Sequence, residues 1–114
     1  MAQRIENKEF LSAAELQYAL GIDQAEIDEA VEANRLFAFE GPDGERYYPA
    51  FYAAADMDRS ALEKVSKELG GLPAASKYHF FVSKRTNLGD TPLEALKRGR
   101  VTEVLWAASG FATT

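Results

Sequence analysis

The chain has 114 residues, of which 46% are hydrophobic and 27% are charged, so its composition is that of one compact globular domain or of two small units sharing a core. Its formal net charge of −5 disfavours general attraction to nucleic acid or to an anionic membrane surface. The absence of cysteine excludes disulfides, thiol catalysis and thiolate metal sites, and the single histidine argues against a zinc site.

Two short helices joined by a tight turn are predicted near the N-terminus, after a loose polar arm formed by the first eight or nine residues. Ser12 followed by Glu15 is a capping-box pattern that marks the start of the first helix, and Gly21 ends it. Asp23 offers the cap of a second helix that runs to about Ala33.

A β-hairpin is predicted next, because apolar and aromatic residues stand on both sides of a Gly-Pro-Asp-Gly loop at 41–44. Two helices followed by a hairpin indicate a small winged helix-turn-helix unit in residues 1–59, although the hairpin could equally do no more than close the core. The candidate DNA contacts of this unit are Gln24, Arg35 and Arg46. Duplex binding is opposed by four carboxylates on the second helix, since phosphate contacts supply much of a DNA reader's affinity. They belong to Glu26, Asp28, Glu29 and Glu32.

Residues 60–114 predict a small helical domain. Ser60 can cap a helix with an apolar face, and an aromatic helix follows over 76–82. Thr91 caps a short helix opened by proline, and helical spacing continues from Val101 to the C-terminus. The expected fold is therefore mainly α with one β-hairpin, in which a winged helix-turn-helix-like unit precedes a small helical domain.

Charge is divided unevenly between these two units. Residues 1–59 hold five basic and thirteen acidic residues, whereas residues 60–114 hold eight basic and five acidic ones. Part of the positive charge forms a basic cluster that could meet an acidic partner surface or could simply be solvated. Its members are Lys84, Arg85, Lys97, Arg98 and Arg100.

No catalytic constellation is present in the sequence, so we expect no enzyme activity, no cofactor and no metal. His79 has no cysteine partner and lies in an aromatic helix, where packing is the commoner role. Asp28 and Glu32 stand one turn apart, a spacing that is typical of a solvated helix face. The glycines fit no phosphate-binding fingerprint.

The most specific pattern lies in the C-terminal part, over about residues 76–112. The run Leu88-Gly89-Asp90-Thr91-Pro92-Leu93-Glu94, then Gly99, a Val104-Leu105 pair and Gly110-Phe111, resembles the Xre/MbcA/ParS-like toxin-binding domain of bacterial antitoxins. The family usually has Trp-Leu where Phe80-Phe81 stand here, and Pro-Asn where Lys84-Arg85 stand.

The resemblance implies a protein that binds a cognate toxin, commonly of the NAD-consuming type, and blocks its active site, often with its C-terminal segment. The N-terminal part would bind operator DNA or dimerise. Trp106 is offset from the apolar series of the last helix, and the residues from Phe111 onward can protrude as a plug; alternatively, both aromatics close the core. The candidate toxin-binding residues are Phe80, Phe81, Arg85, Trp106, Phe111, Thr113 and Thr114.

The expected function is thus that of an antitoxin-like protein that neutralises a partner toxin and could also repress its own operon. Two other readings remain open: a free-standing winged-helix DNA-binding regulator of phage or mobile-element type, and an acidic protein-interaction module that does not bind DNA. Each of the three favours a homodimer. The N-terminus lacks the apolar region of a secretory signal, and no apolar run approaches the length of a membrane span, so we expect a cytoplasmic protein.

Overall fold

A computed structural model describes residues 9–113, and the arm predicted for the first residues falls almost wholly outside this range. The N-terminal elements are β1 (Phe10–Ser12), α1 (Ala13–Leu20), α2 (Gln24–Glu32), β2 (Phe39–Glu40), β3 (Arg46–Pro49) and a 3₁₀ turn at Ala50–Ala53. The later elements are α3 (Arg59–Leu69), α4 (Ala74–Val82), α5 (Pro92–Lys97) and α6 (Val101–Thr113). The described part of the chain is mostly helical with a small antiparallel sheet, and it contains no helix long and apolar enough to cross a membrane.

The two N-terminal helices are present with the predicted caps. The Ser12 hydroxyl accepts a hydrogen bond from the Glu15 N–H, and the Glu15 carboxylate accepts one from the Ser12 N–H. Gly21 ends α1 in the left-handed region, at a φ of 68°. The Asp23 carboxylate caps α2 by accepting a hydrogen bond from the Glu26 N–H at 2.8 Å. These signals are local, which is why the sequence was sufficient to predict them.

The sheet has one strand more than predicted, in the order β1-β3-β2. β1 has only three residues before the capped helix, which is too short for an alternating pattern to be recognised in the sequence. The predicted hairpin is present, with Phe39 opposite Tyr47. Leu36 and Phe37, which belong to the apolar run before the loop, lie in the core ahead of β2 and are not part of the hairpin.

A close contact holds the hairpin loop. A Cβ atom at Gly41 would clash with Cε2 of the Tyr47 ring, so only glycine allows the ring to lie there. The Tyr47 hydroxyl donates a hydrogen bond of 2.7 Å to Asp43. This hydrogen bond holds the pKa of the Asp43 carboxyl below its usual range.

The start of α3 differs from the prediction. The helix begins at Arg59, and its cap is Asp58, whose carboxylate accepts a hydrogen bond from the Ser60 N–H at 3.0 Å. The prediction that Ser60 caps this helix was therefore wrong. The ionised Asp58 carboxylate, two residues earlier, is a strong acceptor for the free N–H groups of the first turn.

Buried residues from before and after residue 59 form one hydrophobic cluster. Its centre is aromatic: the rings of Phe37 and Phe81 stack with centroids 6.2 Å apart, and Phe51 lies 5.0 Å from Phe81. Tyr78 on α4 also packs against Phe10 on β1, with centroids 5.0 Å apart. The sheet, the 3₁₀ turn and α4 thus share a single core.

Tyr52 and Ser66 form a buried hydrogen bond between the 3₁₀ turn and α3. We expect Ser66→Ala to lower the free energy of unfolding by about 1–3 kcal/mol, because the remaining Tyr52 hydroxyl would be buried without a partner. The Tyr52→Phe variant should lose a similar amount, and the double variant should lose less than the sum of the two. Urea denaturation of the four proteins measures this, and strictly additive losses would contradict the coupling.

Lys77 on α4 is only 4% exposed, and its ammonium lies 5.9 Å from the centre of the Phe37 ring. Burial lowers the pKa of Lys77, so the unfolded chain binds more protons than the folded one as the pH rises towards the normal lysine pKa. Stability should therefore increase with pH in this window. We expect Lys77→Met to be more stable than the parent at pH about 7 and to lose this advantage at pH about 10, as measured by urea midpoints. An advantage that is the same at both pH values would contradict the burial of the charge.

Candidate interaction surface

The outer face of α6 exposes a large aromatic side chain, that of Trp106. Val104 and Ala108 point from α6 into the core, whereas Trp106 is 78% exposed. Among the described residues, the other large exposed hydrophobic side chains are Tyr18 on α1 and Val82 on α4. The sequence left open whether Trp106 closes the core, and the structure places it on the surface.

Trp106 stands between two clefts that α6 forms with the loop before α5. The first is lined, together with Trp106, by Asn87, Leu88, Thr102 and Glu103. The second is lined, together with Trp106, by Arg85, Asn87, Ala107, Gly110 and Phe111. We call Trp106 and these two clefts the Trp106 face.

Arg85 lies across two aromatic rings at the edge of this face. Its guanidinium carbon is 4.9 Å from the centre of the Phe111 ring and 5.4 Å from that of Phe80. The backbone N–H of Arg85 donates a hydrogen bond of 3.0 Å to the backbone carbonyl of Asp90, which closes the loop between them. Cation–π contacts hold the guanidinium in place without neutralising its charge.

Arg100 fixes the same loop to the start of α6. Its guanidinium donates two hydrogen bonds to the Glu103 carboxylate, at 2.7 and 2.9 Å, and a third to the Leu88 carbonyl at 3.0 Å. The ion pair raises the pKa of Arg100 and lowers that of Glu103. The first cleft is therefore bounded by a side-chain network that holds its shape.

Most of the basic cluster predicted from the sequence is already paired. Lys97 contacts Asp56 at 3.2 Å, which raises the pKa of Lys97, and it also contacts Glu94 at 3.4 Å. Arg98 contacts Asp90 at 3.0 Å, and Arg100 is bound to Glu103. Within residues 9–113, Lys84 and Arg85 are the members of the cluster without an ion pair. The surface around Trp106 is therefore close to neutral, and the Arg85 guanidinium is the unpaired positive charge of the cleft that it lines.

The structure brings together part of the predicted toxin-binding set. Arg85, Trp106 and Phe111 line one cleft. Phe80 packs beneath it, with its ring centroid 5.3 Å from that of Phe111. Phe80 and Phe81 have no exposed surface, so in this conformation a partner would meet only the residues that cover them.

The C-terminal segment continues as helix instead of protruding. Phe111 is half-buried, and the Thr113 hydroxyl donates one bifurcated hydrogen bond to the carbonyls of Ser109 and Gly110 in the preceding turn. Thr114 lies outside the described residues. Sequence reasoning did not select Asn87, Leu88 or Gly110 as toxin-binding residues, although the pattern that resembles the toxin-binding domain includes Leu88 and Gly110.

The predicted DNA contacts are placed as follows. Arg35 follows α2 and lies 3.6 Å from Glu29 and 3.5 Å from Glu63 on α3, so its charge serves the contact between the two halves of the chain. The Gln24 amide accepts a hydrogen bond from Gln17 and donates one to Asp28, while Arg46 is exposed on β3. The outer face of α2 is acidic, with four exposed carboxylates. They are those of Glu26, Asp28, Glu29 and Glu32.

No family model, curated protein or solved structure matches this chain. Within residues 9–113, no three histidine or acidic side chains cluster as metal ligands. The function is therefore inferred from the chain itself: from the sequence pattern at Leu88 to Glu94, the nearly neutral Trp106 face and the acidic outer face of α2.

Proposed function

We propose that the chain is an antitoxin-like protein that binds a partner toxin through the Trp106 face and thereby neutralises it. The observation that carries this proposal is the 78% exposure of Trp106 between two clefts. Tryptophan and arginine are enriched among the residues that dominate binding energy at protein interfaces, and both are present on this surface. A tryptophan has only two side-chain torsions to order, so a partner can cover its large apolar surface with little loss of conformational entropy.

The sequence pattern gives the class of partner. The run Leu88 to Glu94, which resembles the toxin-binding domain of bacterial antitoxins, leads from the first cleft into α5. Leu88 lines that cleft, and its carbonyl is held by Arg100 from α6. The resemblance implies a toxin of the NAD-consuming type, so we propose such a toxin as the partner.

The proposal includes a winged helix-turn-helix arrangement of the N-terminal unit, which the order of α1, α2 and the hairpin supports. In this proposal, α2 contacts protein and not a duplex. Phosphates would meet its exposed carboxylates, and the nearby Arg35 is engaged by Glu29 and Glu63. Repression of its own operon would need positive charge from another source, such as the bound partner.

Capture and growth assays together test the antitoxin role. The tagged chain, its Trp106→Ala variant and its Tyr18→Ala variant are purified from the native host and compared by mass spectrometry. Tyr18 is the matched control, because it is an exposed aromatic on another helix. We expect the parent and Tyr18→Ala to retain one stoichiometric protein, and Trp106→Ala to lose it.

The retained protein is then expressed alone and with each variant. It should arrest growth, and the parent chain should restore growth while Trp106→Ala should not. A retained protein that does not affect growth, or equal rescue by the two chains, would contradict the proposal.

Duplex binding is expected to be absent for the chain alone. Fluorescence anisotropy with labelled operator-region duplexes at a low salt concentration, about 50 mM, should show no salt-sensitive association. Arg46→Ala should leave this result unchanged, because the acidic face of α2 already repels phosphate. Association that falls steeply with salt and is lost in Arg46→Ala would instead favour the DNA-binding regulator.

A further inference from the structure

We infer that the Trp106 face also pairs with the same face of a second copy of this chain. In this pairing two α6 helices run antiparallel, and each Trp106 occupies the cleft of the other copy that is lined by Arg85, Gly110 and Phe111. The pairing goes beyond the proposed function and stands whether or not a toxin is the heterologous partner.

Gly110 gives the first reason. It lies inside α6, where glycine weakens a helix relative to alanine, and it is exposed. A Cβ atom at this position would meet nothing within 4 Å, so no contact within the described residues explains the missing side chain. A group that approaches closely from outside the chain does explain it.

The spacing on α6 gives the second reason. Trp106 and Gly110 are four residues apart, so they lie one turn apart on the same face of the helix. Around a two-fold axis, if residue i of one copy meets residue j of the other, then j also meets i. Trp106 of each copy can therefore fill the space beside Gly110 of the other copy, so the same contact forms twice. This self-complementarity is the reason to propose a second copy of the chain as the occupant.

The charges give the third reason. Glu103 lines the cleft on one side of Trp106, and Arg85 lines the cleft on the other side. Antiparallel pairing brings the Glu103 carboxylate of each copy, which Arg100 of its own copy already binds, towards Arg85 of the other copy, so the carboxylate would lie between two guanidinium groups. Arg85 has no ion pair within residues 9–113. The indole would also contact the Arg85 guanidinium, whose central carbon lies 4.9 Å from the centre of the Phe111 ring. Parallel pairing would bring like charges together instead.

Sedimentation velocity over a concentration series of about 1–500 µM tests the pairing with the full chain. The parent should change from monomer to dimer, and the emission of its single tryptophan should move to shorter wavelength over the same range. Trp106→Ala and Gly110→Leu should each weaken the dimer by about tenfold or more, whereas Tyr18→Ala should dimerise like the parent. A Cβ atom at position 110 would meet nothing within 4 Å, so we expect Gly110→Leu to keep the fold, and urea denaturation of this variant beside the parent separates loss of pairing from loss of folding.

A monomer at every concentration would overturn the pairing. So would a dimer whose tryptophan emission stays that of an exposed indole, or one that Trp106→Ala and Gly110→Leu leave intact. This experiment and the capture and growth assays can contradict their two proposals independently. A chain that neutralises a toxin but remains monomeric contradicts only the pairing, and a dimer that retains no partner contradicts only the antitoxin role.

Discussion

Replacing Phe81 by alanine should lower the free energy of unfolding by about 3–5 kcal/mol, the usual cost of removing a buried phenylalanine. The ring has no exposed surface and lies between Phe37, on which it stacks, and Phe80. It also contacts Phe51 from the 3₁₀ turn. The cavity would therefore open at the junction of the two halves, where surrounding residues from several elements cannot all move in to fill it.

The same substitution tests whether the two halves unfold as one unit. Urea denaturation followed by far-ultraviolet circular dichroism and by tyrosine fluorescence should show coincident single transitions for the parent and for Phe81→Ala. Val82→Ala is the matched control, because Val82 is the next residue of α4 and is 39% exposed. It should change stability by less than about 0.5 kcal/mol. Two separate transitions in the parent would show that the halves fold independently.

Unlike Phe81→Ala, the Trp106→Ala variant should lose much of its affinity for the partner and almost none of its free energy of unfolding. We expect the affinity for the retained partner protein to fall by at least about 2 kcal/mol, which is roughly thirtyfold. The free energy of unfolding should stay within about 0.5 kcal/mol of the parent value, because the side chain is 78% exposed. Isothermal titration of the partner, together with urea denaturation of the variant, measures both quantities.

Tyr18→Ala is the control for this prediction, since Tyr18 is 93% exposed on α1. Its affinity should equal that of the parent. If Tyr18→Ala and Trp106→Ala weaken binding equally, the partner surface extends to the N-terminal unit. If neither weakens it, the Trp106 face is not the binding surface.

The features that could be predicted from the sequence are those set by neighbouring residues. The caps at Ser12, Asp23 and Thr91 involve hydrogen bonds to backbone groups three residues away, and all three are present. The break between α3 and α4 and the continuous last helix also follow from local signals. The offset of Trp106 from the apolar series of α6 was compatible with exposure, but the sequence left open whether the indole closes the core, and the structure decided this.

The features that could not be predicted depend on contacts between distant parts of the chain. β1 exists because it pairs with β3, and Lys97 is neutralised in part by Asp56. Arg35 similarly contacts Glu63 in another helix. A count of charges along the chain therefore suggested a basic cluster and a candidate DNA contact that the tertiary structure largely pairs with carboxylates.

In the candidate site too, some features depend on neighbouring residues and others on contacts between distant parts of the chain. Spacing along α6 separates Trp106 from the buried Val104 and Ala108, so the sequence could indicate an outer-face position for Trp106 without excluding the core. It could not show that the Arg85 guanidinium lies over the Phe111 ring, because that contact joins the loop before α5 to the end of α6. For the same reason, the burial of Phe80 and Phe81 beneath this surface required the structure.

Fluorine NMR of the chain labelled with fluorotryptophan tests most directly whether the Trp106 face is the binding surface. Trp106 is the only tryptophan, so the spectrum has one resonance to assign. The retained partner protein, unlabelled, is added to the labelled chain at a concentration at which the chain is monomeric. We predict that the resonance moves or broadens until one equivalent of partner is bound and that the label becomes protected from a solvent paramagnet. A resonance that stays unchanged and solvent-accessible while calorimetry reports binding would place the partner elsewhere on the chain.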